Sequence, residues 1–145
     1  MGTRRKSREL AMQMLFQGDL GKQSPAEVDG LFWAAQDDVD AETKGFAVEL
    51  HRVADVRSAE VDALIQKHAQ NWRIERMPFV DRSLLRVAVA EMLEYPKTPI
   101  AVIINETLEL AKRYAAPESM NFLNGVLDAA GHDLRLQRIQ KTPNR

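Results

Sequence analysis

The chain contains no cysteine in 145 residues. That excludes disulfides and thiolate-held metals, and it fits the reducing conditions of a cytoplasm. No run of about 18 uncharged apolar residues occurs, so no membrane span is expected. The basic start lacks the apolar stretch and small-residue cleavage site of a secretory signal. Glycine is scarce, at seven residues, and none belongs to a phosphate-binding loop: "FLNGVLD" has a lone glycine, and Gly-Lys-Ser or Gly-Lys-Thr is absent. Histidine is scarcer. His51, His68 and His132 lie on separate segments, without the i,i+4 spacing of a ligand pair. No nucleophile and base stand out together. The expectation is a binding protein, not an enzyme, with no cofactor and no metal.

What is present suits one compact domain over residues 1–145: 45% hydrophobic and 28% charged residues, enough apolar surface for a core without staples. The net charge of −1 hides a strong asymmetry. Residues 1–17 carry +3, residues 18–62 carry −7, and residues 63–145 carry +3. A polarised surface follows, and the sequence pI near 6.3 excludes a protein that coats nucleic acid indiscriminately. A local basic patch is compatible with both.

Apolar residues recur with a period of 3.6, and no alternating strand pattern competes, so the fold class is all-α with about seven helices. The first runs from Arg4 to Gln17 and ends near Gly18. "SPAE" at 24–27 opens the second, with Ser24 as N-cap and Glu27 closing a capping box; Val28, Leu31, Phe32 and Ala35 are its apolar positions. The third spans about Ala41 to Val56, with Phe46, Val48, Leu50 and Val53 apolar. Ser58 is expected to cap the fourth, whose stripe is Val61, Leu64 and Ile65. The fifth runs from near Pro78 to Glu94. The sixth is "TPIAVIINETLELAKRY", with Thr98 as cap and Pro99 at its first position. The seventh starts around Pro117–Ser119 and passes Asp128. A basic tail from about 135, "RLQRIQKTPNR", carries four basic residues and no acid and is expected to fray. Asp37, Asp38, Asp40 and Glu42 cluster near a helix start, where carboxylates suit the helix dipole better than a cation.

Candidate binding residues emerge when these helices are projected at about 100° per residue. On the first, Leu10, Ala11, Met14 and Leu15 share the core-facing arc. Arg4 and Arg8 lie at its edge, and Arg5 and Phe16 fall together on another side. A ring beside arginines suits single-stranded RNA, with cations for phosphates and a flat face for a base. Equally, Phe16 can pack under a neighbouring helix while the arginines merely hydrate. On the fifth helix, Val80, Leu84, Leu85, Ala88, Val89 and Met92 form an apolar face with Asp81 in its first turn, either stabilising the helix start or offered to a partner. Arg82 and Arg86 either extend a basic stripe or are solvated. The sixth helix buries Ile100, Ile103, Ile104, Thr107, Leu108, Leu110, Ala111 and Tyr114 on one side; Asn105 and Glu106 bind either neighbouring loops or a ligand.

Three segments, "RRKSRELAMQMLFQGD", "NWRIERMPFVDRSLLRVAVAEML" and "TPIAVIINETLELAKRYAAPESMNFLNGVLD", resemble in order and spacing the bacterial transcription antitermination factor NusB family. They cover nearly half the chain; between Gly18 and Gln70 only helical character and length agree. The resemblance implies two packed three-helix bundles and binding of boxA-type RNA as a heterodimer with NusE, a small-subunit ribosomal protein. It also implies assembly with other Nus factors on RNA polymerase, in ribosomal RNA transcription, without catalysis or cofactor. Position by position, it implies phosphate contacts by Arg4, Arg5, Lys6 and Arg8. Phe16 stands where the family commonly has tyrosine, keeping the ring and losing the hydroxyl. Asp81, shorter than the expected glutamate, and Glu118 are implied to face RNA or NusE. "FxNG" matches Phe122, Asn124 and Gly125, with Phe122 against a base and Asn124 facing RNA or NusE. Two other classes stay open: the NusB-like domain of RNA cytosine methyltransferases, whose Rossmann-type catalytic half is absent here, and a protein-interaction module without RNA binding. A homodimer also stays open.

Overall fold

The computed structural model describes residues 3–141 and, among these, contains seven α-helices and no strand. They are α1 (Thr3–Gly21), α2 (Pro25–Ala34), α3 (Ala41–Val56), α4 (Ser58–His68), α5 (Phe79–Glu94), α6 (Ile100–Tyr114) and α7 (Met120–Lys141). Short 3₁₀ turns at Ile74–Arg76 and Pro117–Ser119 lead into α5 and α7. Helices α1, α2 and α3 pack on one another as the first bundle, and α5, α6 and α7 as the second. Helix α5 also touches α1 and α3, joining the bundles, and α4 lies across α5 and α7.

This placement explains the burial along α5. Beyond the expected apolar face, Val87, Ala90 and even Glu91 are buried, because helices surround α5 on nearly every side. The first bundle has its own small core of Leu10, Met14, Val28, Phe32 and Ala47. Met12 is buried too, since α1 packs against both α3 and α5. Leu31, expected in the core, is 56% exposed on the outer side of α2. The apolar side of α6 is buried as expected, with Leu108 and Tyr114 half-buried at its border.

The start of α2 carries the capping box read from its sequence: Ser24 Oγ accepts from Glu27 N at 3.2 Å, and Glu27 Oε1 accepts from Ser24 N at 2.8 Å. Asp40 caps α3 by accepting from Thr43 N at 2.8 Å, so part of the acidic cluster serves a helix end. Two expected caps are corrected. Ser58 is the first residue of α4 rather than its cap; Arg57 precedes it without a side-chain cap bond and instead pairs with Glu60 and Glu94. Helix α6 follows Pro99, not Thr98, again without a side-chain cap bond. The frayed basic tail from 135 is also corrected. Helix α7 continues to Lys141 because Leu134 is buried and Arg138 donates to the Met92 carbonyl of α5. Residues 142–145 of that tail lie outside the described residues. No described helix is long and apolar enough to cross a membrane.

Candidate nucleic-acid interface

The basic edge of α1 divides once its partners are seen. Arg4, Arg5 and Lys6 are exposed, whereas Arg8 is only 6% exposed. Arg8 Nε and Nη2 donate to the two carboxylate oxygens of Glu91 at 2.7 Å each, a buried two-pronged pair across α1 and α5. This corrects the expectation that Arg8 meets phosphate. Its guanidinium is committed inward, where it neutralises the buried Glu91 carboxylate of α5. Arg5 forms the same fork outside, donating to Glu106 of α6 at 2.8 Å and 2.8 Å. That bond holds the Glu106 carboxyl below its ordinary range. Glu106 thus resolves toward a neighbouring helix. Lys6 lies 3.3 Å from Glu9, and the Arg4 guanidinium stacks 3.8 Å from the Phe46 ring centroid. Glu9 is buried, which works against its charge. The Tyr114 hydroxyl first, then Lys6 and Arg113, outweigh that and keep it ionised.

Phe16 is half-buried, so neither reading of it wins outright: its edge meets Phe79 of α5, with ring centroids 6.4 Å apart in a T-shaped pair. Phe79 is 37% exposed, and the Arg82 guanidinium lies 4.5 Å from its centroid. Eleven residues of α-helix bring Phe16 back to the side of Arg5, about 16 Å along the axis. Arg82 and Arg86 do not form a free stripe. Arg82 donates to Asp19 at 2.6 Å, and Arg86 to Asp62 at 2.9 and 3.0 Å.

Next to Phe79, the start of α5 and the turn before α7 enclose a mainly apolar hollow of about 260 Å³. Trp72, Met77, Pro78, Asp81, Glu118 and Phe122 line it. Trp72 is 55% exposed and meets Phe122 edge-on at 6.1 Å. Asp81 sits at the back, 3% exposed. Burial pushes its carboxyl up from the ordinary aspartate value, against a hydrogen bond from the Ser119 side chain that favours the charged form. Asp81 therefore ties α5 to the 3₁₀ turn rather than capping its own helix. Glu118 is exposed at the hollow's rim. Asn124 is exposed on α7 but lies about 200° around that helix from Phe122, away from the hollow.

The structure brings together Phe122, Asp81 and Glu118 around one hollow, and Phe16 with Phe79 beside it. It leaves Asn124 apart and takes Arg8 out of reach. Trp72 and Phe79 were missed as binding candidates. Their signal was the interleaving of rings and cations in "NWRIERMPFVDR", the composition single-stranded RNA requires. No group of acidic, histidine or cysteine side chains among the described residues could hold a metal ion.

The described residues form an all-helical double bundle, with exposed cations on α1 and aromatic rings around the start of α5. The comparisons give the family. The NusB family model matches residues 5–131. The transcription antitermination protein NusB of Koribacter versatilis is 55% identical over 141 residues, covering 97% of each chain. That of Desulforapulum autotrophicum is 43% identical over 129 residues, covering 88% of this chain and 90% of its own. Among solved structures, T. maritima NusB superposes with a TM-score of 0.81 at 30% identity, over 90% of this chain and 91% of its own. NusB in a crystal structure of antitermination factors NusB and NusE with dsRNA gives 0.77 at 28% identity, over 92% and 98%. The chain belongs to the NusB family.

Proposed function

We propose that this protein is a transcription antitermination factor that binds boxA-type RNA together with NusE and joins other Nus factors on RNA polymerase in the cytoplasm during ribosomal RNA transcription. The observation that carries the reading is 55% identity to an antitermination protein, and the exposed α1 cations, the Phe16–Phe79 pair and the Trp72–Phe122 hollow support it. In this reading Arg4, Arg5 and Lys6 hold phosphates, exchanging weak surface pairings for charge-assisted bonds. Phe16 and Phe122, with Trp72 and Phe79, offer faces to unstacked bases. Glu118 and Asn124 face RNA or NusE, and the buried Asp81 shapes the back of the hollow through its bond with Ser119. The role is binding, with no catalytic step and no cofactor.

A second reading, a helical protein-interaction module without RNA binding, draws on the fact that Arg5 and Lys6 already have carboxylate partners. Fluorescence anisotropy separates the two. Labelled boxA-type RNA, a scrambled single strand and a duplex are titrated with the protein, with and without NusE. The expected result is preferential binding of the boxA strand, tightened by NusE. The protein capturing NusE while ignoring all three RNAs would overturn the proposal and leave the interaction module.

A further inference from the structure

On the side of the first bundle, a second cavity of about 260 Å³ opens between the end of α1, the start of α2, α3, α4 and α5. It is smaller than the about 300–1,000 Å³ of sites for drug-sized ligands, so it suits a molecule of a few heavy atoms. Met14, Val28 and Ala54 supply apolar wall, and all three are buried. His51 also lines it. This side chain is 6% exposed and makes no hydrogen bond with any described residue. Its ring nitrogens are not fully enclosed and open onto the cavity; among the described residues the one fully buried side-chain polar atom without a partner is Ser83 Oγ. Asp55 lines the cavity one helical turn beyond His51, on the same face of α3, and its exposed carboxylate makes no hydrogen bond or ion pair with a described residue.

The other charges at the cavity are already matched. Arg86 is forked onto Asp62 and also reaches Asp19 at 3.3 Å, and Asp19 takes a further bond from Arg82. An arriving anion would meet an occupied guanidinium and the free Asp55. Burial lowers the tendency of His51 to protonate, against the pull of Asp55 and Asp29, so its ring offers a neutral acceptor. Two acceptors one turn apart at the edge of an apolar wall call for a donor that is cationic at one end and aliphatic along its stem.

We propose that this cavity binds a short aliphatic amine as its alkylammonium ion, with the ammonium donating to Asp55 and His51 and the methylenes lying on Met14, Val28 and Ala54. The site is separate from the Trp72–Phe122 hollow and from the α1 cations, and it does not depend on RNA binding.

The test follows the His51 imidazole proton resonances in the intact protein, assigned by their loss in His51→Gln, as putrescine is added. A saturable shift is expected, absent with 1,4-butanediol, which keeps the chain and lacks the charge. Asp55→Asn, at an exposed position that leaves the fold unchanged by circular dichroism, is expected to weaken binding about tenfold, the worth of one charge-assisted bond. No saturable shift, an equal shift with butanediol, or unchanged affinity in Asp55→Asn would each overturn the proposal. A capped lysine that binds where putrescine does not would overturn it too, assigning the site to a partner's side chain.

Discussion

Arg5 and Arg8 stand one turn apart on α1, and their surroundings give them opposite tasks. The Arg5 side chain is 55% exposed in its fork with Glu106, while that of Arg8 is 8% exposed in its fork with Glu91, itself 1% exposed. A surface pair contributes little, because water screens it and both side chains lose freedom. A buried pair is different: removing one partner leaves the other charge desolvated and alone. Arg8→Ala is therefore expected to lower stability by about 3–5 kcal/mol, and Arg5→Ala to leave it nearly unchanged. Urea denaturation of the two variants checks this. Replacing Arg8 and Glu91 together by methionine is expected to recover most of the loss, since no charge is then stranded. Helix projection put Arg8 at the edge of the apolar arc, which was right. It could not supply Glu91, which lies 83 residues away and meets Arg8 only through the packing of α1 on α5. Phe16 shows the same limit: its direction was legible, and its cover by Phe79 was not.

At the scale of the helices, much was legible because the signals are local. The capping box of α2 and the buried stripe of α6 both follow from residues within one or two turns. The cap of α4 and the length of α7 were misread for a tertiary reason. "RLQRIQK" is made of good helix formers, but a short exposed helix persists only where it is held, and Asp133 beside it receives Lys67 and His68 of α4, each at 2.8 Å. Those bonds hold the Asp133 carboxyl far below its usual range and fasten α7 across the second bundle. The close approach of α7 to α6 depends on Gly131, where an added Cβ would stand 2.6 Å from Ile100 Cγ2. Alanine normally improves a helix interior by about 1 kcal/mol over glycine. Here it must push a β-branched neighbour in a packed core, at a cost of about 1–3 kcal/mol. Gly131→Ala is thus expected to lower the melting temperature. Gly45→Ala on α3, where a Cβ meets nothing within 4 Å, is expected to raise it. Equal and positive shifts in both variants would show that α6 and α7 can part without cost.

For the molecule as a whole, charge is arranged by region and not by total. The chain is close to neutral, yet its first 17 residues carry +3. The folded structure trims that value further, because Arg8 is forked onto Glu91 and Arg5 onto Glu106, both outside those 17 residues. Neutralised phosphates release counterions, and for a single strand the logarithm of affinity falls with the logarithm of salt by about 0.7 per phosphate. The three exposed cations set an upper limit to what this edge contributes. Changing Arg4, Arg5 and Lys6 together to alanine is expected to flatten the salt slope of boxA-type RNA binding by about 2, with helicity and NusE capture intact. The slope is the telling quantity, since loss of ring stacking at Phe122 or Trp72 would lower affinity at every salt concentration and leave the slope alone. A triple variant with weaker binding but an unchanged slope would move the phosphate contacts elsewhere. The exposed Arg73 and Arg76, in the chain segment between Trp72 and Met77 of the hollow, would then be the next cations to replace.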